Sequence, residues 1–199
     1  MARTDSATQG ELRRRLEAVV RAAPRLMQVL RSARGLDLPD WLIMSGAIYQ
    51  PVLNQLTGRA PDHGLKDYDL GYFDASDVSY DAEDVVIRRV AAAFDEPLNR
   101  LVEVRNQARV HLWFEGKYGE AYSPLGSTAE ALRRFVSPMF AVGVRLDAED
   151  RLLIEAPFGL ADLFAMKLQP NRERPVIASY ERIAASAKAR WPEIVVEPR

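Results

Sequence analysis

The sequence predicts an α/β fold of the α+β kind, a mixed sheet flanked by helices, with helical additions at both ends. Three observations predict it. A short apolar run, Trp41-Leu42-Ile43-Met44, stops at Ser45-Gly46 and gives way to a helical pattern, as a strand does when it turns straight into a helix. A second strand pattern runs from Lys66 to Phe73, where Tyr68, Leu70 and Tyr72 alternate with Asp67, Asp69 and Gly71. Segments with apolar residues three and four apart lie before and after these strands.

The elements follow in order. Residues 1–9 are polar and read as a disordered N-terminus, ahead of a single domain over 10–199 whose core spans about 40–170. Glu11 to Ala22 places Leu12, Leu16, Val19 and Val20 on one helical face, and Pro24 opens a second helix that stops at Gly35. Ala47 to Leu56 is helical, with Gly58 as its C-terminal stop. Asp81 is expected to cap a helix reaching Phe94, and Leu101 to Val104 forms a third strand. The stretch from Asn106 to Gly126, rich in Gly, Tyr and charge, is expected to hold a functional loop. Ser127-Thr128-Ala129-Glu130 matches a capping box. A hairpin turns at Asp147-Ala148-Glu149-Asp150. Gly159 to Leu168 is expected to be a helix, and Pro175 to open the last one.

Composition narrows the chemistry. The 27 basic and 28 acidic residues leave a net charge of -1, without the basic excess of a domain that tracks a nucleic-acid backbone. No long nucleic acid is expected as a partner. The absence of cysteine excludes disulfides, zinc-thiolate sites and thiol nucleophiles. His63 and His111, far apart in sequence, offer little to a histidine metal site or a hydrolase triad. The N-terminus lacks a signal-peptide run, and no apolar stretch nears the ~20 residues that span a bilayer. No membrane partner is expected, and a cytoplasmic location is.

The chemistry concentrates in the unit of strand, Ser45-Gly46, helix, loop and strand. Side chains two apart on a strand share a face, so Asp67 and Asp69 point the same way, roughly 7 Å apart. Two such carboxylates suit a hard cation, and Mg2+ (or Mn2+) is commonly held by one or two carboxylates plus substrate phosphates. Gly46 lets a phosphate approach the backbone, where the N–H groups of the helix start favour an anion, and Ser45 can add a hydroxyl donor. Asn106, Gln107 and Arg109 form a polar cluster after the third strand, suited to substrate contacts or to the surface. Lys66 sits beside Asp67, as a substrate contact or as a charge balance. Trp113 and Phe114 read as core, with base-stacking platforms as the alternative.

These pieces resemble the DNA polymerase β-type nucleotidyltransferase superfamily, and within it the bacterial group called nucleotidyltransferase family proteins. The resembling phrases are Ser45-Gly46-Ala47-Ile48, Lys66 through Asp74, Asn106 through Trp113, and Ala156 through Leu163, over roughly residues 40 to 170. The turn reads Ser-Gly where the superfamily commonly has Gly-Ser, and Tyr49-Gln50 stands where the group has an arginine. The resemblance implies a polymerase β-type fold and a metal-dependent transfer of a nucleoside monophosphate from an NTP to a hydroxyl acceptor, with release of pyrophosphate. It also implies a third carboxylate on a neighbouring strand. Glu103 is the candidate, with an exposed strand residue as the alternative. The site residues are then Asp67, Asp69 and Glu103 for catalysis and metal, and Ser45, Gly46, Lys66, Asn106, Gln107 and Arg109 for the nucleotide. The rival function is a non-catalytic nucleotide-binding or partner-binding protein, regulatory or antitoxin-type, on the same fold.

Overall fold

The computed structural model of the chain describes residues 2–174 and 179–199. The first half comprises α1 (Ala2–Arg21), α2 (Pro24–Gly35), β1 (Leu42–Met44), α3 (Gly46–Leu56), β2 (Tyr68–Tyr72), α4 (Tyr80–Ala92), α5 (Leu98–Leu101) and β3 (Val102–Asn106). A 3-10 turn over Gln107–Leu112 leads to α6 (Phe114–Tyr118), α7 (Thr128–Leu132), β4 (Gly143–Leu146), β5 (Leu152–Glu155), α8 (Ala161–Phe164), β6 (Lys167–Leu168), α9 (Tyr180–Arg190) and β7 (Val195–Val196).

Five strands form one mixed sheet in the order β3-β2-β1-β4-β5. The β2–β3 pair is parallel and the other three pairs are antiparallel. A parallel pair needs a crossover, and α4 and α5 supply it. Strand alternation sorts the side chains into two faces. Ile43, Tyr68, Leu70, Val102, Val104 and Val144 enter the main core with the apolar stripes of α1, α2 and α3. Leu42 and Met44, on the opposite face of β1, join Leu132 and Ala141 in a smaller cluster under α7. A fully buried Leu or Ile contributes about 1.5–3 kcal/mol, so the first face carries most of the stability and leaves the second free for chemistry.

The second face is shaped by a glycine and two caps. A Cβ on Gly71 would stand 2.6 Å from Met44 Cε and 3.0 Å from Thr128 Cγ2, so its lack of a side chain lets the start of α7 approach the sheet. Thr128 N donates to Asp40 Oδ2 at 2.7 Å, which ties α7 to the segment entering β1. The capping box forms as expected on one side, with Ser127 Oγ accepting from Glu130 N at 3.2 Å, while Glu130 returns its carboxylate to Gly126 N at 2.7 Å.

Several sequence expectations need correction. Residues 2–9 are helical as part of α1, not disordered. Gln9 anchors this end, its Oε1 accepting from Leu160 N at 3.3 Å, a partner too distant in sequence to be read. Ser79, not Asp81, caps α4 by accepting from Ala82 N, and Asp81 lies in the first turn, where the helix dipole favours it. The helix expected over 159–168 shrinks to Ala161–Phe164. Met166 takes a positive φ of 52°, and its carbonyl accepts from Val195 N at 2.9 Å, so pairing with β7 replaces further helix. Leu101 ends α5 rather than opening β3. Pro175 lies outside the described residues.

Candidate active site

The register of the sheet builds the site. Gly143, Met44, Asp69 and Glu103 are direct neighbours across β4, β1, β2 and β3. All four belong to the second face. Adjacent strands lie about 4.8 Å apart, so Asp69 and Glu103 rise side by side, and Ser45 follows one residue after Met44. Asp67 precedes β2 rather than lying on it, because regular pairing begins at Tyr68. It remains close enough to act electrostatically on Asp69.

The charges of this group are in conflict. Burial pushes the Asp69 carboxyl up to about 6, and the negative charges of Asp67 and Glu103 push in the same direction against Arg105. Asp67 is raised as well, by burial and then by Glu103, with Lys66 opposing. Glu103 reaches Arg105 at 3.8 Å while both stay half exposed. Asp74, by contrast, is held below its usual value by hydrogen bonds from the Ser76 hydroxyl and backbone, and it closes a turn.

Ser45 makes the sharp turn from β1 into α3. Its φ of 54° and ψ of -118° lie where side chains are disfavoured. Its N–H donates to Val142 O at 2.9 Å, which fixes the turn to the segment entering β4. Ser45 makes no side-chain cap bond to α3, so no hydroxyl covers the first N–H groups of the helix. Gly46 follows, and a Cβ there would meet Gln50 Nε2 at 2.9 Å. Tyr49 is buried against Phe140, with ring centroids 4.5 Å apart, and burial raises its hydroxyl while the charge of Arg190 opposes that shift.

A cavity of about 780 Å³ opens over this face, with Ser45, Asp69, Glu103 and Gln107 in its wall. Other expected contacts lie elsewhere. Asn106 is buried and spent on the fold. Its Oδ1 accepts from Asp74 N and Ala108 N at 3.1 Å each, and its Nδ2 donates to Asp74 O at 2.8 Å. Arg109 ion-pairs with buried Glu83 and donates to Val78 O at 3.0 Å, under α4. Lys66 lines a separate small pocket with Arg25 and Asp62. The partners of Asn106 and Arg109 hold them in the fold, while Lys66 stays exposed and acts on Asp67 through its charge.

What sequence reasoning misses is the far wall. Trp113, Phe114, Tyr118 and Tyr122 line the cavity and belong to neither core cluster. The Phe114 ring centroid lies 4.7 Å from that of Tyr118 and 4.5 Å from that of Tyr122. The available signal is four aromatics within ten residues, with Phe114, Tyr118 and Tyr122 spaced four apart.

Among the described residues, no three carboxylate or imidazole groups form a ready-made metal cage. The donor chemistry still suits a hard divalent cation. The donors are all oxygen, burial and the neighbouring carboxylates raise Asp67 and Asp69, and such an ion takes its remaining ligands from substrate phosphates.

An acidic row thus lies beside an open helix start on a five-stranded mixed sheet. A family model described as Nucleotidyltransferase matches residues 31–196, and the chain belongs to that family. Among solved structures, an NMR structure whose description reads "a CCA-adding enzyme head domain" is 21% identical, covering 92% of this chain and 94% of its own, with a TM-score of 0.73. That likeness is one of fold, and it agrees with the polymerase β-type architecture. Comparison with curated protein sequences gives no match. Family and fold make the protein a nucleotidyltransferase.

Proposed function

We propose that the protein transfers a nucleoside monophosphate from an NTP to a hydroxyl acceptor and releases pyrophosphate, with Mg2+ or Mn2+ held by Asp67, Asp69 and Glu103. The observation that carries this reading is the register that sets Asp69 beside Glu103, with Ser45 closing the preceding strand. The metal, when bound, supplies positive charge against the phosphates. Asp69 and Asp67 hold it in their ionised forms. The N–H groups that open α3 take the triphosphate, and Gly46 leaves room for its oxygens. Glu103, the most exposed of the three carboxylates, receives the proton of the acceptor hydroxyl. Catalysis then rests on positioning and on neutralising charge that is fixed before the substrate arrives.

Transfer of label from each α-labelled NTP, read beside pyrophosphate release, tests this. Asp69→Asn and Asp67→Asn keep shape and remove charge, and each is expected to lower the rate by roughly 100-fold or more. Activity within a few fold of wild type for Asp69→Asn in a folded protein contradicts the assignment.

A further inference from the structure

We infer that the acceptor is a small molecule that joins a flat ring to an anionic group, bound against the aromatic wall formed by residues 113–122. This rests on the transfer reading above and adds the chemical class of its second substrate. The cavity wall holds two unlike groups. Asp69 and Glu103 line it with Arg105, and the four aromatic rings line it with Lys117, Arg134 and the Arg174–Glu120 pair. Arg174 is engaged by Glu120, whereas among the described residues Lys117 and Arg134 have no carboxylate partner.

These two cations are placed on rings. Lys117 Nζ lies 5.6 Å from the Trp113 ring centroid and 5.2 Å from that of Tyr118, and the Arg134 guanidinium lies 5.8 Å from that of Tyr122. A cation over an aromatic face attracts an anion while the ring beside it offers a stacking surface. One ligand that is both flat and anionic uses both. The wall follows β3, the strand of Glu103, after one 3-10 turn, and is assigned to the acceptor, while the triphosphate is assigned to the Ser45-Gly46 turn. The positive charge sits inside a cavity rather than in a stripe over the surface, and the net charge of -1 gives no support to a long polyanion.

In the reaction the acceptor oxygen forms a bond to the α-phosphorus. The bond from that phosphorus to the bridging oxygen of pyrophosphate breaks, the pyrophosphate leaves with its electron pair, and the hydroxyl proton passes to the Glu103 carboxylate.

The test uses the full chain in EDTA, which separates this wall from the metal end. Phenyl phosphate, benzyl alcohol, glycerol 3-phosphate, tripolyphosphate and a short single-stranded RNA are titrated by calorimetry. Phenyl phosphate is expected to bind at least ten-fold more tightly than benzyl alcohol or glycerol 3-phosphate. That binding is expected to weaken at least ten-fold in Arg134→Ala and in Phe114→Ala, and to be retained within three-fold in Arg134→Lys. With magnesium and labelled NTP, a ring compound bearing both phosphate and a free hydroxyl becomes labelled. Equal binding of the three small probes overturns the inference, as does indifference to both alanine variants. Tighter binding of tripolyphosphate assigns the wall to the donor, and tighter binding of RNA assigns it to a nucleic-acid end. Either result also overturns it. Loss of labelling with phenyl phosphate binding intact counts against the transfer reading instead.

Discussion

Asp69 carries a cost in the unliganded protein. Its carboxyl lies at about 6 in the fold, against an ordinary 3.8, because burial and two neighbouring carboxylates disfavour its charge. A carboxyl raised on folding binds protons more tightly in the folded state, so its contribution to stability is full below about 4 and is lost as pH rises through 6. Asp69→Asn removes this dependence. The variant is expected to be about 1–2 kcal/mol more stable than wild type at pH 8, with the difference vanishing near pH 4. Urea denaturation at both pH values measures it, and an equal difference at the two would contradict the assigned charge conflict. Ser45 carries a second cost, a positive φ that glycine tolerates without strain. Ser45→Gly is expected to raise stability by about 1 kcal/mol in thermal melts, and a loss of stability would mean that the turn is not strained. Period two makes Asp69 and Glu103 legible in the sequence, since each alternates with apolar neighbours. The same parity excludes Asn106, which shares the face of Val102 and Val104. Arg109 is not legible in this way, because its partner Glu83 lies 26 residues away in sequence.

Elements are legible where their local chemistry is decisive. Pro24 starts α2, Gly58 follows α3 with a φ of 67°, and Ser127 caps α7, each by a rule that needs no distant partner. They are misread where a long-range contact decides, as when Gln9 holds α1 to Leu160 and when β7 draws 167–168 out of a helical pattern. The joint between α4 and β3 belongs to this second kind. Glu83, 3% exposed, accepts from Asn106 N at 2.8 Å and pairs with Arg109. Removing one partner leaves the other buried and uncompensated, at about 3–5 kcal/mol. Glu83→Gln and Arg109→Met are each expected to destabilise by that order, and the double variant by less than their sum, with a coupling of about 1–3 kcal/mol in denaturant unfolding. Additive losses would show that the pair does not act as a unit.

At the scale of the molecule, the sheet divides labour between its faces. One is sealed by α1, α2 and α3 and supplies stability, which releases the other to hold three like charges and an open cavity. The fold class is legible because strand and helix periods differ, and the acidic end of the cavity because it sits on those strands. The aromatic wall is not, since α6 and the segment after it meet Arg134 and Arg174 only in three dimensions. The function proposed for this face has its carboxylates bind a nucleotide through a divalent cation. Calorimetric titration of ATP and GTP, first with magnesium and then with EDTA, tests this most directly at pH 7.5. Because the carboxylates otherwise repel a triphosphate, binding is expected with magnesium and is expected to be lost in EDTA and in Asp69→Asn, and to weaken as pH falls below about 6. Equal binding with magnesium and with EDTA would contradict it.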